Sequence, residues 1–173
     1  MDSIEQSADR GWKFIESSSI PDRFKKAATL VYNQLCNSVL PEDLTHAEST
    51  QKWVLLLKPE ADEILRLAAL SHDIERSRPN RLRREDFSNI DDYKNEHAIA
   101  GAEIASNLAQ SVGYSAEEIA RLRKLVASHE KGGTDPDIQL LTDADSLSFF
   151  ENNLQYYLKR NSVGETHKKV KFM

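Results

Sequence analysis

The sequence contains a single cysteine, Cys36, among 173 residues. An internal disulfide bond is therefore impossible, and no cluster of thiolates is available to hold structural zinc. This composition fits a reducing compartment. Cys36 follows the apolar face of a predicted helix and has no histidine partner nearby in the sequence. We therefore expect it to be a small core residue.

Long hydrophobic runs and an excess of positive charge are also missing. The longest uncharged apolar stretch is Trp53–Leu57, far short of the roughly 20 residues that a membrane-spanning helix needs. Residues 1–10 are too polar for a signal peptide. The formal net charge is −5, which argues against binding to nucleic-acid polymers. We expect a cytoplasmic protein without nucleic-acid or membrane partners, and a homo-oligomer is compatible with the sequence.

Glycine and proline are scarce, at six and five residues, and no segment alternates polar and apolar residues as a strand does. Apolar residues recur instead with helical spacing, which predicts an all-α, single-domain helical bundle. Residues 1–40 are predicted to form N-terminal helices that pack on the core, 41–160 the main helical domain, and 161–173 a basic C-terminal helix or tail. The predicted helices cover about 4–15, 22–35, 41–57, 59–76, 94–111, 116–130 and 137–159.

The distribution of histidine is the most informative feature of the chain. Four of the five histidines fall in separate helical segments rich in apolar residues, and the fifth, His167, lies in the basic tail. Histidines on separate core helices can converge at one point of a bundle, which is where helical bundles build metal sites. The four are His46, His72, His97 and His129.

Aspartates also occur among apolar residues. Asp73 directly follows His72 near the end of an apolar segment, and Asp143 and Asp145 lie in a second one. A buried carboxylate without a partner is costly, and a neighbouring cation removes that cost. For Asp73 alone, the simpler alternative is that it caps the helix or pairs with Arg76. One of the other two aspartates is likewise a candidate helix cap.

Imidazole nitrogens and carboxylate oxygens without thiolates suit a six-coordinate divalent metal. Iron and manganese are favoured, and magnesium, cobalt, nickel and zinc are also compatible. A carboxylate such as Asp73 can bridge two ions, which an imidazole cannot do. Two ions held close together can polarise a phosphoryl group and activate water.

The order of His46, then His72 and Asp73, then Asp145 resembles the H…HD…D signature of the HD superfamily of metal-dependent phosphohydrolases. Residues 67–76 resemble the A-x-L-x-HDI-x-[KR] helix of that family, and residues 140–147 resemble its closing L-x-x-AD-x-L helix. In this alignment Asp145, rather than Asp143, takes the ligand position. The resemblance covers residues 46 to about 150 and leaves the first forty residues and the tail unexplained.

His97 and His129 resemble the extra histidines of the H…HD…H…H…D subgroup, whose members hold two metals. That subgroup includes cyclic-dinucleotide phosphodiesterases, dinucleoside-polyphosphate hydrolases and some di-iron oxygenases, but the glycine-tyrosine-proline signature of the phosphodiesterases is absent. The resemblance implies one ion on His46, His72, Asp73 and Asp145, and a second on His97, His129 and a bridging Asp73. The alternative is a single ion, with His97 and His129 contacting substrate phosphate.

Basic and acidic residues flank the implied ligands. Arg76 occupies a position where the family often has lysine or arginine, and its guanidinium fork suits a phosphate. Lys131 is predicted to extend this anion site. The simpler interpretation of the remaining loop arginines is a solvated loop with salt bridges to Glu85, Asp86, Asp91 and Asp92; these arginines are Arg78, Arg81, Arg83 and Arg84. Glu75 and Glu130 are candidates for proton transfer, for orienting a ligand, or for plain surface positions.

The resemblance implies an enzyme, a metal-dependent phosphohydrolase, whose partner is a small phosphorylated substrate. A nucleotide-like phosphoester or phosphoanhydride is expected, with Asp73 essential for catalysis and with Arg76 and Lys131 binding the substrate. Two alternatives stay open: a di-iron oxygenase on the same scaffold, and a non-catalytic nucleotide-binding or regulatory module. The complete set of ligands argues against the module, because degenerate members usually lose some ligands.

Overall fold

The computed structural model describes residues 11–171, and within them the fold is helical throughout, without a β-strand. The prediction of an all-α bundle in one domain is confirmed. Short 3-10 helices at Lys13–Glu16, Ile74–Ser77 and Arg84–Asp86 connect the longer elements. The α-helices are α1 (Asp22–Leu35), α2 (Asp43–Leu57), α3 (Glu63–Ser71), α4 (Ile90–Ser111), α5 (Ala116–Ser128), α6 (Pro136–Ser148), α7 (Leu154–Arg160) and α8 (Val163–Lys171).

Helix α3 forms the centre of the bundle, as its apolar residues on all sides predict. Leu65, Leu67 and Leu70 are buried completely or nearly so, and the helix packs against α1, α2, α4, α5 and α6. Its start differs from the prediction: α3 begins at Glu63 rather than Pro59, because Asp62 accepts a hydrogen bond from the backbone N–H of Leu65 and caps it.

The beginnings of α3, α5 and α6 are joined by one ionic network. Arg121 on α5 contacts Asp62 at 2.6 Å and Asp137 at 2.7 Å, and Lys58 also contacts Asp137, at 2.8 Å. The three helices are thereby held together at one end. Their other ends carry histidines and an aspartate selected from the sequence, so this network helps to position the candidate site.

Small residues allow α4 to approach α3 and α5 closely. A Cβ atom on Gly101 would lie 3.3 Å from the backbone oxygen of His72 and 3.8 Å from a methyl group of Val126. Contacts this tight leave little room for a larger side chain. Gly101 therefore brings α4 directly against the C-terminal end of α3.

The structure differs from the predicted helices near the N-terminus, at Cys36 and after α6. The predicted first helix, over 4–15, lies mostly outside the described residues. In its described part the only helical segment is the 3-10 turn Lys13–Glu16. The prediction that Cys36 is a core residue is wrong, because it caps the C-terminal end of α1 and is exposed. The predicted helix over 137–159 is divided by a π-helical turn at Phe149–Asn153.

No helix within residues 11–171 is both long enough and apolar enough to cross a membrane.

Candidate metal centre

Six side chains selected from the sequence come together in the interior of the bundle. They come from different helices or from the residues that directly follow a helix: His46 lies on α2, His72 follows α3, Asp73 precedes the next 3-10 turn, His97 lies on α4, His129 follows α5, and Asp145 lies on α6. All four histidines are buried. Residues from five segments of the chain thus surround one point.

Four of these side chains form a first group of donor atoms. The Nε2 atoms of His46 and His72 lie 3.1 Å apart, and Asp145 Oδ1 lies 3.0 and 3.5 Å from them. Asp73 Oδ2 lies 3.6 and 3.4 Å from the same two nitrogens. Metal–ligand bonds of about 2.1 Å place neighbouring donors of a six-coordinate ion about 3 Å apart. The donors of His46, His72 and Asp73 lie close enough together to hold one ion, and Asp145 Oδ1 lies beside both of its imidazoles.

The other oxygen of Asp73 belongs to a second group. Asp73 Oδ1 lies 2.9 Å from His97 Nε2, and the donor atoms of Asp73, His97 and His129 all lie within 4.8 Å of one another. His129 Nε2 is buried and has no hydrogen-bond partner. A buried polar atom without a partner calls for an explanation, and coordination of a cation supplies one.

Backbone carbonyls determine which ring nitrogen of two histidines faces the centre. His72 Nδ1 lies 2.8 Å from the carbonyl oxygen of Ala69, and His129 Nδ1 lies 2.7 Å from that of Val126. A carbonyl oxygen can only accept, so Nδ1 carries the hydrogen in both rings. Nε2 is therefore the atom available for coordination.

For the other two histidines, side chains determine which ring nitrogen faces the centre. Ser148 Oγ lies 2.9 Å from the carbonyl oxygen of His46, to which it donates, and 2.8 Å from His46 Nδ1, from which it accepts. His97 Nδ1 lies 2.9 Å from Glu75 Oε2. All four imidazoles thus donate through Nδ1 and direct Nε2 toward the centre, which is the arrangement that metal-binding histidines need.

The charges of the site favour a bound cation. Burial raises the pKa of Asp73, but Arg76 and His72 outweigh it and hold the pKa well below its usual value. Burial lowers the pKa of His72, but Asp73 and Asp145 raise it well above its usual value. The carboxylates are therefore ionised and attract positive charge. Burial, together with the nearby His72, lowers the pKa of His129.

Arg76 lies beside the carboxylate that faces both groups. Its Nη1 atom is 2.5 Å from Asp73 Oδ2 and 3.6 Å from Asp43 Oδ1. Its side chain is 23 % exposed, and that of Asp145 is 20 % exposed. The candidate site therefore reaches solvent on the side of Arg76 and Asp145, whereas His97 and His129 lie deeper.

Lys131 lies at the surface, where its Nζ atom donates to Asn95 Oδ1 at 2.7 Å. Its role in binding substrate stays a prediction. The sequence interpretation missed Lys94, which pairs with Glu130 at 2.8 Å, and Tyr93, whose ring stacks on His97 at a centroid distance of 5.8 Å. Tyr93 lies four residues before His97 on the same helix, and this spacing could have identified Tyr93 from the sequence.

The loop that carries Arg78, Arg81, Arg83 and Arg84, here called the arginine loop, lacks its predicted salt bridges. Within residues 11–171, the four loop arginines form no ion pair, although Arg84 donates to the carbonyl of Phe87 at 2.8 Å. The loop is attached to the protein interior instead by the backbone N–H of Leu82, which donates to Glu75 Oε1 at 2.7 Å. The carboxylate of Glu75 thus bonds to both the loop and His97.

Comparison with known proteins gives one family. A family model described as a domain of unknown function (DUF4202) matches residues 25–172, which includes all six clustered residues. Because the match covers most of the chain, the chain belongs to this family. No curated protein and no solved structure matches it.

Proposed function

We propose that this member of the DUF4202 family is a metal-dependent phosphohydrolase of the HD-domain type, acting on a small nucleotide-like phosphoester or phosphoanhydride. One observation carries the proposal: the two oxygens of Asp73 face two separate groups of buried imidazole nitrogens. A carboxylate in that position can bridge two ions. Centres of two ions in nitrogen and oxygen ligands are well suited to hydrolysis at phosphorus.

The donor set supports iron or manganese at both positions. Four imidazoles and two carboxylates without thiolate are ligands of intermediate hardness, which these metals accept. Bound ions would activate water and neutralise the charge that develops on a phosphoryl group. His46, His72 and Asp145 would hold one ion, and His97 and His129 the other, with Asp73 shared by both.

The protein's own cation supports a phosphate as the bound group. Arg76 lies next to Asp73 and reaches solvent at the open side of the site. Its planar guanidinium can bind two phosphate oxygens at once and hold the phosphorus in a fixed orientation beside the centre. The buried position of the six residues and the net charge of −5 favour a small substrate over a nucleic-acid polymer.

Hydrolysis of a panel of nucleotides and simple phosphodiesters tests the proposal, with the products separated by chromatography and with protein loaded with Mn²⁺ or Fe²⁺. Asp145→Asn removes a candidate ligand, and Asp143→Asn is its matched control. Asp143 lies exposed on the same helix and, among residues 11–171, hydrogen-bonds only to Gln139. We expect hydrolysis by the wild-type protein and the control but not by Asp145→Asn.

Three results would contradict the proposed activity. Hydrolysis that persists unchanged in Asp145→Asn would separate the activity from this site. Metal-dependent uptake of oxygen without hydrolysis of any tested substrate would support the oxygenase alternative. Binding of nucleotides without any turnover would support the regulatory module.

A further inference from the structure

We infer that Glu75 is a positioning residue for the second ion. It strengthens the binding of that ion by holding His97 in the tautomer that presents Nε2. The inference rests on the proposed two-ion function and adds to it a residue outside the ligand set. Because Glu75 also accepts from the backbone N–H of Leu82, the inference connects the arginine loop to the site of the second ion. Glu75 contacts no candidate ion-binding atom itself and acts through His97.

Both oxygens of Glu75 are used. The side chain is buried, with the residue 1 % exposed, and Oε2 lies 2.9 Å from His97 Nδ1 while Oε1 accepts from the backbone N–H of Leu82 at 2.7 Å. A buried carboxylate is stable only when its oxygens are paired in this way. Each oxygen therefore has one committed partner.

Glu75 and Asp73 hold the imidazole of His97 from opposite edges. Asp73 Oδ1 faces Nε2 at 2.9 Å, and Glu75 Oε2 faces Nδ1 at 2.9 Å. The two acidic residues are only two positions apart, at the start of the same short 3-10 helix. This helix thus supplies both the proposed bridging carboxylate and the group that orients the next ligand.

The carboxylate is needed because it can only accept hydrogen bonds. Facing Glu75, His97 keeps a hydrogen on Nδ1, so an ion bound to Asp73 can take the place of a hydrogen on Nε2. A glutamine at this position has one oxygen, and the N–H of Leu82 requires it. The glutamine amide group would then face Nδ1 and donate to it, so the hydrogen of His97 would move to Nε2 and block coordination.

The arginine loop takes part through Leu82. The loop follows the 3-10 helix directly, and the hydrogen bond from Leu82 to Glu75 is its attachment next to the candidate site. This bond fixes the orientation of the side chain at position 75. A glutamine there could not turn its amide oxygen toward His97 without losing the bond to Leu82. The effect of a glutamine substitution therefore depends on the loop remaining in place.

The test is the number of Mn²⁺ ions bound per chain, measured by elemental mass spectrometry after chelator treatment, reloading and gel filtration. The variant is Glu75→Gln, and the matched control is Glu85→Gln, because Glu85 is exposed in the same loop. We expect two ions in the wild-type protein and in the control, but one in Glu75→Gln. The second ion of that variant should bind about 10–100-fold more weakly, and the first ion with unchanged affinity.

A conservative variant distinguishes positioning from packing. Glu75→Asp keeps a group that can only accept, so it should bind the second ion more tightly than Glu75→Gln does. Electron paramagnetic resonance supplies a second readout, since a coupled pair of Mn²⁺ ions should give way to isolated Mn²⁺ in Glu75→Gln. A purely structural role would lower the melting temperature of metal-free and metal-loaded protein alike, without selectively weakening the second ion.

The outcomes separate this inference from the proposed function. Two ions bound with wild-type affinity in Glu75→Gln would overturn the inference and leave the two-ion site intact. An equal loss in Glu75→Asp and Glu75→Gln would assign the effect to packing and also overturn it. A wild-type protein that itself binds a single ion would contradict the two-ion function, and the role of Glu75 with it.

Discussion

The Nε2 atoms of His46 and His72 lie 3.1 Å apart in the interior of the protein. Each ring already uses its Nδ1 hydrogen, one toward Ser148 and the other toward the carbonyl of Ala69. Two ring nitrogens that face each other with lone pairs repel unless a proton or a metal ion lies between them. With Asp145 Oδ1 at 3.0 Å from one of them, the pair is built to hold positive charge.

Asp73→Asn should abolish hydrolysis without unfolding the protein. The substitution keeps the size of the side chain but removes the charge shared by both candidate ion positions. We expect a loss of activity greater than the about 10–100-fold that changes outside the ligand set cost. The rate of substrate hydrolysis and the circular dichroism spectrum of the same sample measure this. Retained activity in Asp73→Asn would contradict the assignment of the site.

Ser148→Ala should weaken binding of the first ion. Ser148 is the acceptor that keeps the hydrogen of His46 on Nδ1, and its loss should reduce metal affinity about 10–100-fold. Ser106→Ala is the control, because Ser106 is also buried but donates to the carbonyl of Ala102 within its own helix. Metal titration of chelator-treated protein measures both. Equal affinities for the two variants would argue against this role of Ser148.

Gly101→Val should destabilise the protein. A Cβ at this position already lies 3.3 Å from the backbone oxygen of His72, and further methyl groups force α4 away, at a cost of about 1–3 kcal/mol. Gly133→Val is the control, since no atom lies within 4 Å of a Cβ there. Urea denaturation measures the free energy of unfolding. A stability loss that is no larger at Gly101 than at Gly133 would contradict the close packing.

Arg121→Gln should lower stability at neutral pH but not in acid. Burial raises the pKa of Asp137, but the hydrogen bonds from Lys58 and Arg121 hold it below its usual value. A lowered pKa in the folded state contributes stability above the pKa of the unfolded chain, and this contribution is lost as the pH falls through the folded pKa.

The expected difference between wild-type protein and Arg121→Gln is about 0.5–1 kcal/mol at neutral pH, because the pair is partly exposed. The difference should shrink as the pH falls from about 5 toward 3. Denaturation curves at several pH values measure it. A difference that grows in acid would contradict the role of this network.

The sequence was sufficient to predict the fold class and to select the six residues that converge. Their types and helical settings carry that information, because a histidine in an apolar segment needs a polar partner in the core. The spacing of Ser115 and Glu118 likewise predicts a capping box, which the structure confirms. The function of the six residues as metal ligands stays a prediction.

The contacts that orient the ligands could not be predicted. Ser148 lies 102 positions from His46 in the chain, and no local pattern relates the two. Glu75 and Leu82 are paired only because the loop turns back over the 3-10 helix. Such contacts depend on tertiary packing, which also explains why the loop arginines lack the salt bridges that their charges alone predict.

Metal content per chain tests the central claim most directly. Elemental mass spectrometry of protein purified without chelator or a histidine tag is expected to find about two equivalents of iron or manganese, and far less in Asp73→Asn. About one equivalent in the wild-type protein would leave His97 and His129 as substrate contacts and contradict the two-ion site. No bound metal, even after reconstitution with excess ion, would contradict the metal centre itself.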